Sequence, residues 1–121
     1  MARADAIAAR AGRATVDEVY AGVADGDPGC IAAVEFAAYY LGIALSNAVA
    51  LLGPDRIVVG GGITEAGNLV LDPIRDAVRT RVTLVPVETI EVVAAALGPR
   101  AGAIGAALAA RKADQEEVRA R

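Results

Sequence analysis

The segment from Asp27 to Gly53 limits this chain more than any other. Between Pro28 and Leu52 only Glu35 carries a charge. Asp27 is suited to cap a helix and Pro28 to occupy its first turn, where a missing N–H costs nothing. Gly53, Pro54 and Asp55 break it. A helix over Pro28–Leu52 is on the order of 37 Å long at 1.5 Å per residue. Ile31, Val34, Ala38, Leu41, Leu45, Ala48 and Leu52 form one apolar stripe at helical spacing. Phe36, Tyr40, Ile43 and Leu51 mark a second apolar face, interrupted by Asn47. A helix apolar on both sides is buried on both sides. One small domain cannot cover it, so a sheet is expected on one side and a partner or a further lobe on the other. The uncharged part, 36–53, lies at the lower edge of the length a membrane span needs. It contains Gly42, Ser46 and Asn47 and lacks a flanking basic cluster, so it reads as a buried helix of a soluble protein.

The remaining residues narrow the chemistry. The 121 residues carry 12 basic and 15 acidic side chains, a net charge of -3, which gives no general attraction to nucleic acid. Histidine is absent and Cys30 is the only cysteine, so a zinc site of Cys and His is excluded within this chain. Catalytic arrangements built on histidine are excluded too. A single cysteine forms no internal disulfide, which suits a reducing, cytoplasmic setting. Cys30 reads as a small core residue. The first residues, with Arg3 and Asp5 and no apolar run behind them, do not read as a signal peptide.

Along the chain, 2–11 reads as a short helix stopped by Gly12, and Thr15 with Glu18 has the spacing of a capping box for a second. After the long helix, Arg56, Ile57, Val58 and Val59 form a continuous run typical of a strand buried on both faces. A helix is expected over 66–82, with a kink at Pro73 or a start near Asp72. Thr89 to Val93 reads as a second strand, 101–112 as an Ala/Gly-rich helix, and 113–121 as a charged tail fraying into solvent. The order strand, helix, strand makes a crossover with parallel strands. Two such strands do not make a stable sheet alone and leave edges that call for more.

Two glycine features stand out. Val59 runs into Gly60, Gly61 and Gly62, where the backbone can approach a ligand without obstruction and φ can be positive. The carboxyl end of a parallel strand is a usual place for a nucleotide. The spacing is neither that of a dinucleotide fold nor of a P-loop, and a plain tight turn fits it as well. Gly102, Gly105, Ala106 and Ala109 share one helix surface, which suits close packing. Arg100 before them reads as a solvated charge.

The ordered series is more specific than its parts. Gly26 and Asp27 precede the long helix with Tyr40, Leu41, Gly42 and Asn47; Pro54, Asp55 and the strand into Gly60, Gly61 and Gly62 follow. Then come Pro73, Ile74 and Arg75, and last Gly98 and 101–107. Across roughly 14–111 this order resembles the C-terminal region of ROK-family proteins, which include bacterial sugar kinases and sugar-responsive repressors. The resemblance implies an α/β fold: a partial lobe of the actin-like, ribonuclease H-like ATPase type, with a long helix followed by a β-α-β-α unit. The expected organisation is a single C-terminal lobe fragment, with short helices over 1–26, the long helix over 27–53, the β-α-β-α unit over 54–112 and the tail over 113–121. The resemblance also implies ATP with magnesium as cofactor, Gly60, Gly61 and Gly62 as nucleotide-binding residues, and homodimer contacts through the Pro28–Leu52 helix.

Departures from the family pattern bear equally on function. Its kinases have an Asp-Gly-Thr type phosphate motif, a catalytic Asp, a Glu-x-Gly-His sugar motif and a Cys-rich zinc loop, and none stands in this sequence. Phosphoryl transfer needs nucleophile, base and phosphate clamp together. The expectation is a glucokinase-like part that is inactive alone and has no catalytic residue, zinc, nucleic acid or membrane partner. The other readings are the sugar-sensing and dimerisation part of a repressor, or a free-standing interaction module.

Overall fold

A computed structural model describes residues 4–83 and 86–119; Ala2, Arg3, Ala120 and Arg121, included in the expected first helix and tail, lie outside these. The order is α1 (Ala4–Arg10), α2 (Val16–Ala24), α3 (Pro28–Leu52), β1 (Arg56–Val59), α4 (Asn68–Arg81), β2 (Glu91–Ala94) and α5 (Ala101–Arg119), with short 3-10 turns at Gly62–Ala66, Val87–Thr89 and Gly98–Arg100. The Thr15 hydroxyl accepts the Glu18 N–H at 3.3 Å, and the Glu18 carboxylate accepts the Ala14 N–H at 3.1 Å. Asp27 accepts the Cys30 N–H at 2.9 Å and so caps α3. At the other end Gly53, with φ 55°, sends its N–H to the Val49 carbonyl at 2.8 Å.

Small residues decide how α3 packs. Its buried side is Cys30, Ala33, Val34, Ala37, Ala38, Gly42, Ser46 and Val49, a different stripe from the larger residues the periodicity favoured. Leu41 and Leu45 are only half-buried. Small side chains let α4 approach closely, and Val70, Leu71, Ile74 and Val78 fill the seam. The Ser46 hydroxyl, buried there, donates to the Gly42 carbonyl at 2.7 Å, so its burial leaves no polar atom unpaired. Cys30 is fully buried beneath Gly22 of α2. The helix is long and apolar enough to cross a membrane by length and composition, yet it carries the core of this fold.

β1 and β2 pair in parallel, Ile57 beside Val92 and Val59 beside Ala94. Ile57, Val59 and Val92 face the core. Arg56 and Glu91, on the opposite face, are joined by a 2.7 Å hydrogen bond. The expected burial of β1 on both faces is not met: its burial alternates, and Val58 is 59% exposed. Only the face with Ile57 and Val59 meets the core that α3 and α4 build. At the outer edge of β2, Arg75 of α4 donates from Nε and Nη2 to the Val92 carbonyl, at 3.3 and 3.0 Å. The opposite edge of β1 has no strand beside it among the described residues.

Three expectations need correction. The fourth helix starts at Asn68, before Pro73, and continues through it to Arg81. Pro73 forfeits one intrahelical N–H bond, and the packing of Val70, Leu71, Ile74 and Val78 into the core holds the helix through it. The second strand starts two residues later than expected, because 87–89 close a 3-10 turn. Helix α5 does not stop near Lys112 but reaches Arg119. Its surface of small residues is not packed: Gly102 and Gly105 have open space where a side chain would stand.

Candidate functional site

The turn after β1 is shaped by its glycines. Gly60 lies against Ala95, whose N–H bonds the Val59 carbonyl at 2.7 Å. Gly61 adopts φ 92° and ψ -177°, a conformation essentially confined to glycine. Its carbonyl accepts both the N–H and the hydroxyl of Thr64, at 3.1 and 2.7 Å. These bonds hold the turn Gly62–Ala66 in place. Gly67, with φ 57°, then opens α4 and receives the N–H groups of Val70 and Leu71.

Gly60 and Gly62 border an open cleft of about 480 Å³. Ile57, Val58 and Val59 line one side, Leu41 and Leu45 of α3 contribute to its wall, and Ile7, Val16 and Tyr20 come from the short N-terminal helices. The structure therefore brings two of the three sequence-selected glycines to the cleft, while Gly61 supplies the bend between them. No lining residue is cationic among those described. The Tyr20 ring is half-buried, with its Cε2 3.6 Å from where a Gly62 side chain would begin. Burial raises the Tyr20 phenol above its ordinary pKa, and the charges of Glu65 and Asp17 add to this. Tyr20 was not legible as a site residue, since only tertiary packing carries α2 to the glycine turn. Leu41 and Leu45 were legible only as members of an apolar stripe.

A second surface lies on α3. Phe36 and Tyr40 are exposed, with ring centroids 4.7 Å apart, and the Arg10 guanidinium sits 3.5 Å over the Phe36 ring. Tyr39, exposed beside them, accepts a 3.2 Å hydrogen bond from Arg81. Phe36 and Tyr40 stand on the side of α3 that meets α1, while Tyr39 lies beside α4, where it meets Arg81. Among the described residues no group of three or more His, Cys, Asp or Glu is placed to hold a metal ion.

Residues 2–113 match the ROK family. The chain is 34% identical over 91 residues to a glucokinase of Halalkalibacterium halodurans, covering 75% of this chain and 28% of that protein. A glucokinase of Streptomyces coelicolor is 39% identical over 92 residues, covering 71% and 28%. The chain thus spans little more than a quarter of the length of these relatives. Among solved structures, a ROK family glucokinase from Streptomyces griseus in complex with glucose and AMPPNP superimposes with a TM-score of 0.69 at 31% identity, covering 88% of this chain and 37% of that one. A ROK family transcriptional regulator, a homologue of the E. coli MLC protein, superimposes with a TM-score of 0.65 at 24% identity over 74% of this chain and 26% of its own, which is a likeness of fold. With a family match over nearly its whole length and the same mixed α/β fold, this chain belongs to the ROK family.

Proposed function

We propose that this chain is the C-terminal nucleotide-binding and dimerisation part of a cytoplasmic, glucokinase-like ROK sugar kinase, organised as one partial lobe of the actin-like, ribonuclease H-like type and inactive by itself. The observation that carries this reading is the glycine turn at the carboxyl end of β1, opening on a cleft. It occurs in a chain similar to a glucokinase crystallised with glucose and AMPPNP. In this reading Gly60, Gly61 and Gly62 hold the nucleotide, whose magnesium and terminal phosphate need charged groups this chain does not supply. Gly60, Gly61 and Gly62 carry no side chain to serve as base toward a sugar hydroxyl, so in this reading phosphoryl transfer requires the rest of a kinase. The homodimer forms through the exposed aromatic face of α3.

Calorimetric titration with ATP and magnesium, beside a coupled assay over common hexoses, tests this. Binding without turnover is expected. Turnover that follows this protein through re-purification, or no binding at all, would overturn it.

A further inference from the structure

We propose that Tyr20 forms the aromatic wall against which the base of a bound purine nucleotide lies, with the phosphates directed away from it toward Gly60 and Gly61. This rests on reading the glycine turn as the nucleotide site, and it assigns the base end of that site. The Tyr20 ring and the turn come together although they are some forty residues apart, because α2 packs across the start of the turn Gly62–Ala66. A side chain longer than alanine at 62 would cover the nearby edge of the ring. Glycine leaves it open to the cleft.

Chemistry separates the two ends. Around Tyr20 the lining is Ile7, Val16, Leu41, Leu45 and Ile63, which suits the flat faces of a neutral heteroaromatic ring. The cavity lies within the range of roughly 300–1,000 Å³ usual for small-molecule sites. Asp17, on α2 with Tyr20, and Glu65, in the turn Gly62–Ala66, put two carboxylates on the elements that meet here. A phosphate chain would be repelled there, whereas an uncharged base would not. Base-aromatic stacking is sequence-tolerant and strong enough to change affinity by about tenfold.

The chain has no Trp and three Tyr, so Tyr39→Phe with Tyr40→Phe leaves Tyr20 as the sole strong emitter. In that background Tyr20 fluorescence should fall on titration with ATP and magnesium, and with adenosine, but not with inorganic tripolyphosphate. Calorimetry should show Tyr20→Phe within twofold of the parent. Tyr20→Leu should weaken ATP and adenosine alike by about tenfold with its circular dichroism unchanged. If ATP binds and needs Gly61 but Tyr20 emission stays constant and Tyr20→Leu binds normally, the Tyr20 assignment fails and the turn reading stands. If the unmodified chain binds no ATP, both fail. Should Tyr20→Leu not fold, the fluorescence result decides alone.

Discussion

Gly42 of α3 lies so close to Ala77 of α4 that a side chain at 42 would begin 2.7 Å from the Ala77 Cβ, and 3.2 Å from the Ile74 Cα and the Pro73 carbonyl oxygen. Two of these three neighbours are backbone, which cannot step aside without parting the helices. Gly42→Val should therefore lose about 2–3 kcal/mol in urea denaturation, the cost of forcing extra carbon into a closed seam. Gly102 is the counterpart in open space on α5. There Gly102→Ala should gain up to about 1 kcal/mol from helix propensity alone. Equal effects at the two sites would contradict the packing described.

Asp27 joins two elements: one carboxylate oxygen accepts the Cys30 N–H and the other the Arg13 guanidinium, each at 2.9 Å. The Cys30 backbone N–H chiefly, with Arg13 adding its charge, holds this carboxyl below the usual carboxylate range. A depressed folded pKa stabilises above the unfolded value, near 3.8, and the contribution disappears as pH falls through the lower folded value. Asp27→Ala should lower the urea midpoint at pH 7. Its deficit relative to the parent should shrink as pH falls below about 4. Asp27→Asn should keep part of the cap and lose the pH dependence.

Gly61 is bent for conformational reasons, since no atom lies within 4 Å of where its side chain would begin. Gly61→Val places a β-branched residue at φ 92°, at a cost of about 1–3 kcal/mol. The turn should relax and ATP analogue binding should be lost, with circular dichroism close to that of the parent. Undiminished binding by the folded variant would make the glycines structural only.

The aromatic face of α3 predicts association. Tyr40 is 51% exposed beside Phe36 and Tyr39, and Leu51 and Leu52 extend apolar surface to the end of the helix. Tyr40→Glu should shift the sedimentation of the chain toward monomer at micromolar concentration. Leu45→Glu should instead perturb the cleft, which Leu45 lines. A parent chain that is already a well-folded monomer by light scattering would refute this.

Local chemistry was enough for the ends of the elements. The caps at Thr15 and Asp27, the glycine stop at Gly53 and the β-branched run of β1 need only neighbouring residues to act. The strand-to-glycine turn was legible for the same reason. Which side of α3 would be buried was not. The helix is apolar on both faces, and the small side chains at Gly42 and Ser46, which let α4 approach closely, selected the seam.

By itself, then, the sequence determined a long helix, a parallel crossover and a glycine turn, because capping, β-branching and φ freedom act over a few residues. Only the tertiary structure decided that β1 is covered on one face, that Arg75 closes the outer edge of β2, and that Tyr20 stands at the turn. Each of these depends on where an element distant in sequence comes to rest, and that follows from packing α2, α3 and α4 into one core.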